Sequence, residues 1–155
     1  MVVIQATEAH VPAIIEVWKE FMAFHADFDL RFPITPDAHV NMEKHLRELM
    51  TSSDNLVLIA EDGNRVVGYS IAIIAQRNPM FVKRTYGDIS DMAVTKTYRR
   101  RGAGEQMLSQ IIEWFKLKNV RRIELSVVSN NPIGYPFWRK HGFKDYMHRL
   151  YLDAK

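Results

Sequence analysis

A mixed α/β domain, with a central sheet flanked by helices, is the fold class the sequence predicts, and three observations predict it. Stretches with apolar residues at helical spacing are interspersed with short β-rich stretches along the 155 residues. Asp62-Gly63-Asn64 separates two of the β-rich stretches, residues 56–61 and 66–74, and reads as a hairpin turn. A further apolar strand, residues 89–94, runs through a basic turn containing Gly102 and Gly104 into an amphipathic helix.

The elements follow in order. Residues 1–6 read as a first strand. Ile14, Ile15, Trp18, Phe21 and Met22 recur at helical spacing, which predicts a helix over 8–25. Two prolines and several aspartates make 26–36 a loop, and Met42, Leu46 and Leu49 give a second helix over 37–50 an inward face. The hairpin comes next, and the polar stretch 76–86 leads into the strand that ends near Val94. Beyond Gly104, Met107, Leu108, Ile111, Ile112 and Phe115 form one apolar helix face. Residues 123–127 alternate as a half-buried strand. Asn131-Pro132 opens a short helix, with a capping residue followed by proline at the first helical position. Residues 143–152 are expected to form the last strand.

Composition bounds the function. At this length, with 47% hydrophobic residues, one domain spanning 1–155 is expected. The absence of cysteine excludes disulfides, a thiolate nucleophile and cysteine-ligated metal. No leader and no apolar run of membrane-spanning length is found, so a soluble cytoplasmic protein without a membrane partner is expected. The formal charge of +3 suits a polyanionic small ligand and is too mild to imply nucleic acid.

The turn Arg99-Arg100-Arg101-Gly102-Ala103-Gly104 carries the chemistry. Glycine lets the main chain approach a ligand without a Cβ, and a helix start presents unpaired N–H groups with the positive end of the macrodipole behind them. Arginines beside it add forked donors for phosphate oxygens. A solvated basic turn that merely starts a helix is the competing reading. The dinucleotide fingerprint is excluded because Met107 stands where its third glycine would, and no G-x-x-x-x-G-K-[ST] occurs.

With its context from Asp91 to Gly104, the turn resembles the acyl-CoA-binding motif of the GNAT N-acetyltransferases, [Q/R]-x-x-G-x-[G/A]. Asn131 to Phe143 is similar to that family's next segment, N-x-x-A-x-x-[F/L]-Y-x-[K/R]-x-G-F. Gly134 stands in place of the usual alanine, a small change, and Trp138 in place of the usual tyrosine, which removes a hydroxyl. The resemblance implies the GNAT-like acyl-CoA N-acyltransferase fold over nearly the whole chain, and acetyl-CoA as cosubstrate with no metal. It also implies acetyl transfer to a primary amine of a small molecule or peptide. Main-chain groups of Met92, Ala93 and Val94 would hold the pantetheine arm. The amides of Arg100, Arg101, Gly102, Ala103 and Gly104 would take the pyrophosphate, with Arg99, Arg100 and Arg101 supplying charge. Asn131 would reach the pantetheine, and Phe137 with Trp138 would line the thiol end.

Proton transfer needs further groups. Alternation puts Asp88 and Ser90 on one face of their strand and Asp91 on the other. Asp88 or Asp91 could take the amine proton; alternatively Asp88 ends a turn and Asp91 pairs with an arginine. Trp138 cannot release a proton at useful pH. Tyr135, one turn earlier, could approach the sulfur or simply pack. His25, Asp27, Asp29, His39 and His45 fit no standard zinc spacing, so solvated or capping roles are expected of them. Family resemblance instead puts the region after the first helix beside the acceptor, where Phe24, Asp27, Phe28, Asp29 and Phe32 would suit a cationic amine with an apolar portion. Two other functions stay open. One is a CoA-binding regulatory domain without catalysis, suggested by Trp138; the other is a nucleic-acid module using Arg99 to Arg101, Arg121 and Arg122, which lacks interleaved aromatics. A homodimer is compatible with the sequence, and the acceptor itself is not specified by it.

Overall fold

The computed structural model describes residues 1–154. Its sheet has the order β1 (Val2–Gln5), β2 (Asn55–Asp62), β3 (Arg65–Gln76), β4 (Thr85–Val94), β5 (Ile123–Glu124). The first four strands are antiparallel to their neighbours, and β5 runs parallel to β4. Helix α3 (Ala103–Leu117) is the crossover between β4 and β5. The sheet is mixed, as expected.

Two apolar layers cover the sheet. On one face, α1 (Val11–His25) and α2 (Ala38–Leu49) bury Ile14, Ile15, Trp18 and Leu46 against Val57, Ile59, Tyr69 and Ile71. On the other, α3 buries Leu108, Ile111 and Phe115 with Leu58, Ala72 and Ile89, and α4 (Gly134–Lys140) adds Trp138. Gly87 is required here, because a Cβ on it would lie 2.5 Å from the Phe115 ring. No helix among the described residues is long and apolar enough to cross a membrane.

The functional region originates in β4. Ile71 pairs with Asp91 and Ala72 with Ile89, so Ser90 is an extra residue, a β-bulge. Residues directly opposite one another share a sheet face. Asp88 lies opposite Ile73 and Asp91 opposite Ile71, and both isoleucines belong to the α1 side. The expectation from strict alternation, with Asp88 and Asp91 on opposite faces, is therefore corrected: the bulge resets the phase and puts both on the α1 face. The β4–β5 ladder ends where the bulge begins, at Asp88↔Glu124. Beyond it, the two chain segments diverge.

Three expectations change at the C-terminal end. The strand predicted over 123–127 is regular only at Ile123–Glu124. The regular part of α4 starts at Gly134 rather than at Pro132, although Asn131 still caps it: its Oδ1 accepts from the amides of Ile133 (3.0 Å) and Gly134 (2.8 Å). Residues 144–154 form no strand. A strand needs an edge to pair with, and Tyr146, Met147, Leu150, Tyr151 and Leu152 are instead exposed. The segment is held at its start by Phe143 against Trp138, by Asp145 with Tyr135, and by Tyr146 under the Arg122 guanidinium.

Candidate active site

Two cavities open where β4 and the chain after β5 part. The first, of about 530 Å3, runs between β4, the Arg99–Gly104 turn and the start of α4, and is lined by Met92, Ala93, Val94, Gly104 and Phe137 among others. The second, of about 460 Å3, lies between the α1–α2 loop, the Ser90–Asp91 bulge and residues 125–128. Phe21, His25, Met92, Asn131, Gly134 and Trp138 line both.

The first cavity has the features of an anion cradle. Arg100 (φ 61°) and Gly102 (φ 86°) are both left-handed, which folds the turn back on itself and aims successive amides to one side. The first intrahelical bond of α3 runs from the Gln106 N–H to the Gly102 carbonyl. The amides of Ala103, Gly104 and Glu105 precede it, and so have no partner within the helix. Gly104 is in close contact with the opposite wall, since a Cβ on it would sit 3.3 Å from the Phe137 ring. The residues present thus fit a bound pyrophosphate.

The arginines do not share one role. Arg99 and Arg100 line the cavity. Arg99 donates from Nε to the Val94 carbonyl (3.1 Å) and lies over the Phe24 ring. Arg101 is not among the lining residues, and its guanidinium stacks on Tyr98. Glu105 lines the same cavity and is paired with Lys140 (2.6 Å), which holds its carboxyl below the usual carboxylate range.

The second cavity contains a half-buried acid, Asp91. Burial pushes the Asp91 carboxyl up to about 6; a hydrogen bond from the Tyr69 hydroxyl (3.2 Å) and the positive charge of Arg31 oppose the rise, and the charge of Asp88 adds to it. The same burial, with Asp91 beside it, holds the Tyr69 phenol well above its ordinary value. Asp88 does not line either cavity and accepts a hydrogen bond from Ser90 Oγ (2.7 Å). In the same cavity, the buried Asp29 is grasped by Arg31 through Nε and Nη2, and these bonds lower its carboxyl to about 2.

The residues expected beside the acceptor separate. Asp29 and Phe32 line the second cavity and Phe24 the first. Phe28 lines neither, packing on the rings of Phe24 and His25, and Asp27 is exposed. Tyr135 is also outside both cavities: its hydroxyl donates to Asp145 (3.0 Å), away from any sulfur bound between Phe137 and Trp138. His25, for which the sequence suggested a solvated or capping role, is instead buried where the cavities meet.

The sequence model of the acetyltransferase (GNAT) family matches residues 17–143. The chain belongs to the GNAT family. A curated relative, the L-2,4-diaminobutyric acid acetyltransferase of Shouchella clausii (strain KSM-K16), is 28% identical over 89 residues, 56% of this chain. That match covers 46% of the relative, so the chain aligns with about half of its length. Among solved structures, a predicted acetyltransferase with acetyl-CoA from Clostridium acetobutylicum superposes with a TM-score of 0.79 at 19% identity, covering 98% of this chain and 95% of that one. The apo aminoglycoside 6'-N-acetyltransferase AAC(6')-IG of Acinetobacter haemolyticus superposes at 0.78 and 17% identity, covering 100% and 99%. These likenesses show the GNAT fold across the whole chain. Within it, the edge of β4 that β5 leaves unpaired and the α3 N-terminus form part of the first cavity, and the α1–α2 loop forms part of the second.

Proposed function

We propose that this GNAT domain transfers the acetyl group of acetyl-CoA to a primary amine of a small molecule or peptide, in the cytoplasm. The observation that carries the reading is the junction itself, where an anion cradle and the cavity that contains the Asp91 carboxyl share one wall at Met92, Asn131 and Trp138. Acetyl-CoA would supply an activated acyl carbon. The α3 amides, with Arg99 and Arg100, would hold its pyrophosphate, and the unpaired edge of β4 at Met92 to Val94 would take the pantetheine arm. Asp91 would receive the amine as its ammonium ion and remove a proton, since a carboxyl near 6 is ionised at neutral pH yet is a better base than an ordinary aspartate. Tyr69 fixes the orientation of that carboxyl through its hydroxyl. Phe21, Met22, Phe32 and Ile34 give the acceptor cavity an apolar wall, which suits an amine on a short apolar stem. The diaminobutyrate and aminoglycoside specificities in the names of similar proteins support an amine acceptor.

The test is release of free thiol from acetyl-CoA with a panel of primary amines that includes 2,4-diaminobutyrate and an aminoglycoside. Saturable turnover with at least one amine is expected, with kcat/KM rising with pH through a limb near 6. Trp138 favours one second reading, a CoA-binding domain without turnover. Calorimetric CoA binding with no thiol release from any amine would establish that reading instead.

A further inference from the structure

We propose that the acceptor of this domain is an amino acid, with a primary amine and a carboxylate on one stem, and that Arg31 is the specificity-determining residue that holds the carboxylate. This names the substrate class of the acetyl-transfer reading above and rests on that reading. Arg31 lies in the α1–α2 loop and lines the second cavity, the one that contains Asp91. Among the described residues it is the only lysine or arginine lining that cavity. Its side chain is 83% exposed, whereas that of its partner Asp29 is 5% exposed.

The loop fixes the guanidinium from one side and leaves the other free. The Asp29 amide donates to the His25 carbonyl at the end of α1 (2.8 Å), and the Asp29 carbonyl accepts from the Phe32 amide (3.2 Å), so the main chain is turned without help from side chains. Asp29 Oδ1 accepts from the Arg31 amide (3.0 Å), and the carboxylate also receives Nε and Nη2 of Arg31, at 2.9 and 2.5 Å. Of the five N–H donors of a guanidinium, two are thus taken. Both hydrogens of Nη1 and the second of Nη2 have no protein partner among the described residues. They form the Nη1–Nη2 edge, a fork that matches the two oxygens of a carboxylate. Asp29 sets the orientation of that fork in advance, so little side-chain freedom is left to lose when a ligand binds.

The charges of the cavity complement those of an amino acid. The charge of Arg31 is felt at Asp91 and that of Asp91 at Arg31, yet the two form no ion pair, because Arg31 is held by Asp29. Each therefore keeps capacity for a group from outside: an ammonium ion at Asp91 and a carboxylate at Arg31. Phe32 and Ile34 of the same loop line the cavity with them and suit the stem between those two ends. With Asp91 ionised, Asp29, Arg31 and Asp91 leave one negative charge in excess. A diamino acid, which carries one positive charge in excess, balances it. An amine without a carboxylate leaves the Arg31 fork unpartnered in the complex.

The experiment uses the full chain with acetyl-CoA and measures kcat/KM for three matched pairs that differ only by a carboxylate: 2,4-diaminobutyrate and 1,3-diaminopropane, ornithine and 1,4-diaminobutane, lysine and 1,5-diaminopentane. In at least one pair the amino acid is expected to exceed its diamine by at least about tenfold, as a charged hydrogen bond allows. A smaller ratio in all three pairs overturns the proposal. In Arg31→Gln, which removes the fork, the ratio of the best pair is expected to fall at least about fivefold. A smaller fall overturns the role of Arg31, since loss of a merely structural loop staple would slow both members of a pair alike. Because Arg31→Gln strands the Asp29 carboxylate, the same ratio is measured in a double variant, Asp29→Asn with Arg31→Gln, in which neither charge remains. Both proteins are first checked for wild-type circular dichroism. A wild type that acetylates the diamines as well as the amino acids overturns only the carboxylate role, whereas a wild type that acetylates no amine overturns the acetyl-transfer reading and this proposal with it.

Discussion

Asp91 shows how one residue can be tuned at a cost to the fold. Its carboxyl sits at about 6 when folded and near 3.8 when free, so between those values the folded state binds more protons than the unfolded one. Stability therefore falls as pH rises through that window. At pH 7.5 the partly desolvated charge costs roughly 3 kcal/mol. Asp91→Asn keeps an acceptor for the Tyr69 hydroxyl and removes the charge. Urea unfolding should show the variant more stable than wild type by up to that amount at pH 7.5, with the gain shrinking towards pH 4, while kcat falls by about 10²–10⁴. Gly134 is a second case in which one atom matters. From sequence, glycine for alanine looked like a small change, yet a Cβ at Gly134 would stand 2.8 Å from the Asn131 amide nitrogen. Because Asn131 is buried and tied by its Oδ1, Gly134→Ala should cost roughly 1–2 kcal/mol and loosen the contact with His25. A thermal melt together with CoA titration checks both effects. None of this is visible in a string of residue types, because side-chain contacts between residues as distant as 25 and 131 depend on the packed structure.

Among elements, the turn before α3 and α3 itself were the most legible, because glycine at a forced left-handed position and an apolar stripe at helical spacing are local signals. The separate roles of the arginines were not local. Arg99 is drawn inward by the Val94 carbonyl and Phe24, and Arg101 outward by Tyr98. Calorimetry should therefore separate them: Arg99→Ala is expected to weaken CoA binding by ~1.5–3 kcal/mol, and Arg101→Ala by less than about 0.5 kcal/mol. An equal loss in both would return Arg101 to the phosphate site. The strand expected over 143–152 failed for the opposite reason. Its apolar residues carry a strand-like composition, but pairing is decided by a neighbour, and β5 is regular only at Ile123–Glu124.

At the scale of the whole molecule, the order of helices and strands up to α4 followed from periodicity and turn signals, and the motif resemblance pointed to the turn that forms the anion cradle. The second cavity was legible only in part, because its walls come from three separated segments, the α1–α2 loop, the bulge in β4 and residues 125–128. Ser90 links them. With Ser90 removed, Ile89 would run directly into Asp91, and every remaining β4 residue from Gly87 to Val94 would keep the sheet face it has now. The two apolar layers therefore do not depend on this residue, whereas the β4–β5 ladder stops beside it, at Asp88↔Glu124. A chain lacking Ser90 is expected to melt at or above the wild-type temperature while losing most of its CoA affinity, and wild-type affinity in that variant would refute the assignment. Recognition and foldability in this protein would then be separable by one codon, leaving a closed sheet as a scaffold without a ligand.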